Sequence, residues 1–192
     1  MPECLRHDSS LQNIFGDTCA MMWIYRCRSE VPNYLHHEPS LKNKHEDTCA
    51  VLWITCLKTD IPEYLRHDPE IRIIEGFTCA MLWIMNHDDD IPEYLRHEPT
   101  IKSDEGYTCA MLWIIYRSGN IPKYLRHDVH IRDNHARTCS RIWSIYRNTH
   151  PPRYLTNNNF IDSNPEEWHE LNRSRDLLHH RMYFNFRLKP VS

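Results

Sequence analysis

Glycine is scarce in this chain, four residues in 192, and no Gly-rich phosphate loop is present. An H-E-x-x-H helix and a G-x-S-x-G elbow are missing as well, which removes the common signatures of metal-dependent and serine hydrolysis. A surplus of cations is also missing. The formal charge of -3 and a pI of about 6.5 give no basic stripe for a phosphate backbone, so nucleic acid is not an expected partner. No stretch approaches the roughly 20 apolar residues of a membrane span. The opening residues, with Glu3, Arg6, His7 and Asp8, have no apolar signal-peptide core. The expectation is a soluble, cytoplasmic protein in a reducing compartment, with no membrane partner.

What the sequence does have is a period. Trp23, Trp53, Trp83, Trp113 and Trp143 recur every 30 residues, and so do the pairs beginning at Thr18, Thr48, Thr78, Thr108 and Thr138, each followed by cysteine. Pro2, Pro32, Pro62, Pro92, Pro122 and Pro152 keep the same interval. Residues 1–8 match 61–68, so the sequence opens inside a repeat, as a truncated array or an abbreviated cap. A fixed period of this size is the signature of a stacked array, in which each unit is too small to bury its apolar face alone.

Eight cysteines invite a disulfide reading. Five of them, however, form the column Cys19, Cys49, Cys79, Cys109 and Cys139, and equivalent residues of stacked helices lie about 8–10 Å apart, beyond disulfide reach. Buried thiols are expected. The histidine column His7, His37, His67, His97 and His127 has the same spacing, so its rings cannot converge on one ion; each is expected to bond backbone in the adjoining turn. No cofactor and no metal is expected. An enzyme wants a unique nucleophile with a unique base, and this chain offers copies, so no catalytic residue is assigned.

Within a unit, the threonine hydroxyl suits a helix N-cap before Cys-Ala-Met-Leu-Trp-Ile, a run free of Gly and Pro and apolar almost all round. A second, two-turn helix is predicted from Asp60-Ile61-Pro62-Glu63, with an acidic cap, Pro in the first turn and Glu three residues after the cap, ending before Pro69. Gly16, Gly76 and Gly106 share a column with Glu46 and Ala136, which predicts a tight turn at positive φ. Leu11, Leu41, Ile71, Ile101, Ile131 and Ile161 should anchor the connecting link to the core. The tryptophan and tyrosine columns read as core. Arg6, Arg66, Arg96 and Arg126 are expected to pair with the acidic residue two positions on.

At these residues the pattern resembles the ankyrin repeat. The segment from His127 to Thr138 is similar to the family's turn, usually worded Gly-Ala-Asp-Pro-Asn-Ile-Arg-Asp-x-x-Gly-x-Thr. Asp68-Pro69 and Gly76-x-Thr78 keep the matching positions, and the resemblance covers residues 1 to about 162. It departs in its unit of 30 residues rather than about 33, in the missing Gly-Ala before Asp, and in Trp where Ala is usual. The resemblance implies an all-α helix-turn-helix solenoid with a projecting turn and a role in binding proteins. We divide the chain into a repeat array, 1–162, and a C-terminal segment, 163–192, where Asn164-Pro165-Glu166-Glu167 starts a divergent helical cap.

The functional expectation is a non-enzymatic scaffold that binds another protein through turns that vary between copies and through adjoining helix faces. Phe15, Ile73, Ile74, Phe77 and Tyr107 are the candidate partner-binding residues, the last four forming an expected apolar surface patch. Self-association through an exposed terminal repeat is the alternative, ahead of metal binding or enzymatic activity.

Overall fold

The computed structural model describes residues 8–156. The chain divides into two units, Met1–Leu155 and Thr156–Ser192, and the account below concerns the first. The helical cap expected over 163–192, and the anchor Ile161, lie outside the described residues.

Five α-helices recur in register: α1 (Cys19–Cys27), α2 (Cys49–Cys56), α3 (Cys79–Asn86), α4 (Cys109–Tyr116) and α5 (Cys139–Arg147). Each begins at its threonine. The five hydroxyls accept the backbone N–H three residues on at 3.2–3.4 Å, satisfying one orphan donor of the first turn. Helices of eight or nine residues are marginal alone in water, and these hold because each packs on the next along the row. In α3 every residue from Cys79 to Ile84 is buried, as a helix apolar all round requires. Trp53, Trp83 and Trp143 are buried and Trp23 and Trp113 half-buried. The indole N–H of Trp23, Trp53 and Trp83 donates to the carbonyl seven residues on, at 3.0–3.1 Å.

The predicted second helix is a single 3-10 turn. It spans only Glu63–Leu65, with equivalents Asn33–Leu35, Glu93–Leu95, Lys123–Leu125 and Arg153–Leu155. Pro62 sits at φ -54, ψ 145 and Arg66 at φ -74, ψ 138, extended values on both sides of the turn. Prolines 62 and 69 each force the residue before them out of the helical region, and too few residues remain between them to repay helix nucleation. Each described unit therefore carries one α-helix, one 3-10 turn after it and one projecting turn, the projecting turn before α3 being itself 3-10 over Ile74–Gly76.

The extended backbone after the 3-10 turn lets two side-chain columns reach across units. His37, His67, His97 and His127 set Nδ1 at 2.8–2.9 Å from the carbonyl of the following residue. A carbonyl only accepts, so Nδ1 carries the proton and Nε2 is the acceptor. Nε2 receives the hydroxyl of Thr18, Thr48, Thr78 and Thr108 respectively at 2.8–3.0 Å. It also lies 3.6–3.7 Å from Sγ of Cys49, Cys79, Cys109 and Cys139 in the next unit. Burial pushes those four thiols up to about 12, so they stay protonated and pack as small apolar groups.

Arg66, Arg96 and Arg126 do not pair with the acidic residue two positions on as expected, and Arg6 and His7 lie outside the described residues. Arg66, Arg96 and Arg126 lie over the rings of Tyr94, Tyr124 and Tyr154 in the following unit, 3.8–4.0 Å from the centroid, and each Nε donates to the carbonyl of Ile61, Ile91 or Ile121. His36 stacks on Tyr64 in the same place, at 3.7 Å. A planar cation gains more on a half-buried ring than beside an exposed carboxylate.

Candidate interaction surface

Three of the five projecting turns are built by one short-range device. In the first, Asn13 Oδ1 accepts the backbone N–H groups of Phe15 and Asp17 at 2.8 and 3.0 Å. Asn43 does the same for His45 and Asp47, and Asp133 for His135 and Arg137. Asn and Asp bond their own backbone in this way and tolerate a tight turn. The turn closes at a left-handed residue: Gly16, Gly76 and Gly106 at φ 72 to 83, Glu46 and Ala136 at φ 64 and 59. Glycine has a second reason at 76 and 106, where an added Cβ would lie 2.7 Å from the backbone nitrogen of Asp104 or Asn134. Neighbouring turns touch through backbone, with Lys44, Asp104 and Asn134 N–H donating to the carbonyls of Phe15, Glu75 and Glu105.

This construction moves most of the expected surface patch indoors. Ile73, Phe77 and Tyr107 are 1%, 0% and 3% exposed, and Ile74 is half-buried. The physical reason is that the first and fifth positions of the turn point into its base. Other copies fill that base with polar pairs; the third unit fills it with Ile73 and Phe77. Tyr107 is held there by Arg137, whose Nη2 donates to its hydroxyl at 2.9 Å and which forms a 2.6 Å ion pair with buried Asp133. Phe15 stays outside at 56% exposure, with Ile14 at 77% and Leu11 at 57% beside it in the sequence. The corresponding anchors Leu41, Ile71, Ile101 and Ile131 are half-buried.

Sequence reasoning missed two features. Asp47 is 5% exposed with Oδ1 unpartnered. Burial raises its carboxyl to about 6, Asp17 adds to the rise, and His45 and the Asn43 amide oppose it. The signal was present as two acidic residues, Asp17 and Asp47, in a column otherwise holding Phe77, Tyr107 and Arg137. The second is a cap between units: His87 Nε2 lies 3.3 Å from the carbonyl of Ile54 in α2, and Arg117 Nη2 donates to that of Trp83 in α3. Polar groups just past one helix thus satisfy the open carbonyl end of the helix before it. Among the described residues no cluster of three or more His, Cys, Asp or Glu could hold a metal ion, and no helix is long and apolar enough to cross a membrane.

No protein-family model and no curated protein matches the sequence. Solved structures do. A chain from the complex of a predatory endopeptidase of Bdellovibrio bacteriovorus with an immunity protein aligns at TM-score 0.58 and 16% identity, over 76% of this chain and 82% of that one. An ankyrin repeat protein aligns at TM-score 0.50 and 19% identity, over 73% and 80%. The likeness is one of fold: the array is all-α and ankyrin-like in the stacking of its units.

Proposed function

We propose that this chain is a non-enzymatic, cytoplasmic scaffold that binds another protein through its row of turn tips and the adjoining helix faces. The observation that carries the reading is the first turn, where Ile14 and Phe15 stand exposed on a backbone already fixed by Asn13. Apolar side chains held rigidly in water lose little conformational freedom when covered, so they suit a binding contact. Along the row the tips change character, from Ile14-Phe15 to Lys44-His45, Asp104-Glu105 and Asn134-His135, and such a sequence of unlike tips on like supports gives specificity to one partner. The four buried, protonated thiols of Cys49, Cys79, Cys109 and Cys139 are poor nucleophiles, which supports a non-enzymatic reading. The solved complex with an immunity protein is a further support, since a neighbour in fold is found bound to protein.

The test is affinity capture with the intact chain and with an Ile14→Ser/Phe15→Ser variant, prey being identified by mass spectrometry. A specific prey lost with the variant is the expected result. Identical capture by both would refute the first tip as a contact.

A further inference from the structure

The bases of the turns meet from unit to unit, and one junction lacks a counter-ion. Between the fourth and fifth units Asp133 is buried and Arg137 answers it, with Nε 2.7 Å and Nη2 2.6 Å from Oδ2. Between the first and second units the same place holds two carboxylates. Asp47 is buried with Oδ1 unpartnered, and half-buried Asp17 accepts Asn43 Nδ2 at 2.9 Å.

Asp47 is faced by Asp17 from the first turn, by Tyr25 from α1, by Cys56 from α2 and by His45 from its own turn. Burial, followed by the charges of Asp47 and Asp17, raises the Tyr25 hydroxyl. Burial likewise raises the Cys56 thiol, opposed by the Thr55 hydroxyl and by Arg28. Both groups stay neutral near pH 7, which leaves exposed His45 as the cation that opposes the pair. A buried carboxylate with a bare oxygen beside a second carboxylate is relieved either by a proton or by movement into water.

The pair is tied to the first turn tip by a short run of hydrogen bonds. Asp47 N–H rests on Asn43 Oδ1 at 2.9 Å, and Asn43 Nδ2 donates to Asp17. Asp17 N–H in turn rests on Asn13 Oδ1, which also holds the N–H of Phe15. One backbone bond joins the two turns directly, from Lys44 N–H to the Phe15 carbonyl at 3.0 Å. Asn43 is thus a shared strut: its oxygen shapes the second turn and its amide grips the first.

We propose that Asp47 is a proton-operated latch between the first two turns: protonated, it lets the first turn seat on the second, and ionised, it repels Asp17, seeks water and loosens the Ile14–Phe15 tip. The latch regulates the tip on which the binding reading rests, but it is read without a partner, so either can fail alone. With the turns seated the carboxyl titrates at about 6; with the turns parted it faces water and titrates near the ordinary value of about 3.9. The seated state therefore holds the proton more tightly, is favoured below about pH 6 and loses that advantage as pH rises through 6. From pH 5 to 7.5 the ratio of seated to parted turns should fall about tenfold.

The test is amide hydrogen exchange of the full chain by NMR over that range, each rate divided by its intrinsic rate. Protection of the Lys44 amide should fall about tenfold. The amides of Asp104 and Asn134 make the equivalent bonds to Glu75 and Glu105, at 2.9 and 3.2 Å, over bases without a pair of acids, and should stay level. Asp47→Asn should flatten the Lys44 profile, Asp17→Asn should move its midpoint to lower pH, and His45→Gln should leave the fall in place. A level Lys44 profile in the unaltered chain, a fall that survives Asp47→Asn, a midpoint unmoved by Asp17→Asn, or a fall removed by His45→Gln would overturn the latch. So would an equal fall at Asp104 and Asn134, which reports opening of the whole array.

Discussion

Replacing Asp47 by asparagine should make the protein more stable, and by an amount that depends on pH. The carboxyl is buried, one oxygen has no partner, and its pKa rises from 3.8 to about 6 on folding, burial being the largest cause. A raised carboxylate stabilises only while protonated: its contribution is fully present below the unfolded pKa of about 3.9 and is lost as pH rises through about 6. A shift of roughly two units corresponds to about 3 kcal/mol against the folded state once the group is charged, at 1.36 kcal/mol per unit. Asparagine keeps the shape and cannot ionise. Near neutral pH, Asp47→Asn should therefore gain about 1–3 kcal/mol, or several degrees of melting temperature. By about pH 4 the two proteins should converge. The assay is urea unfolding followed by far-UV circular dichroism across that range. A variant that is less stable at neutral pH, or one offset by the same amount at every pH, would refute the reasoning.

Three further outcomes follow from the geometry. Gly106→Ala should lower stability by about 1–3 kcal/mol, because it adds a Cβ against Asn134 at positive φ; Gly119→Ala, at φ 82 with nothing within 4 Å, should cost only about 1 kcal/mol, and paired thermal melts compare them. Thr78→Val removes the α3 cap and the hydroxyl that His97 receives, and should lose about 1–2 kcal/mol that Thr78→Ser largely restores in denaturant titrations. Burial lowers the pKa of His127 below its ordinary 6.5, so its share of stability is present above 6.5 and falls away as pH drops toward the folded value. In the Asp47→Asn background, where the opposing carboxylate trend is gone, unfolding midpoints should decline below about pH 6.5; a flat profile would contradict the assignment.

The repeat was legible because its columns are side-chain chemistry that any unit must satisfy. The threonine caps, the apolar helices and the left-handed glycine position each follow from one local requirement, and each is present. The 3-10 turn was not legible as such, because Pro, Glu and an acidic cap signal a helix start without saying how long the helix runs. Burial of Ile73, Phe77 and Tyr107 was hidden for a different reason: their turn resembles the others in outline, and only the bonding of Asn13, Asn43 and Asp133 shows that those positions face inward. The arginine column misled because the nearest charge in sequence, Asp68 for Arg66, lies farther in function than the Tyr94 ring one unit away. Contacts at a separation near 30 residues become visible only when the period is wound into space.

The pairs at the base of the turns carry a last consequence. Asn43 Nδ2 donates to Asp17, and Arg137 reaches back to Tyr107, so each of these units holds a key cut for one particular lock. Interchange the modules and the helices would still seat, but Arg137 set beside Phe77 would keep its ion pair with Asp133 and lose the Tyr107 hydroxyl to which its Nη2 donates. The serial order of the array is thus written in a single column of unlike residues, and a shuffled chain would betray itself there first.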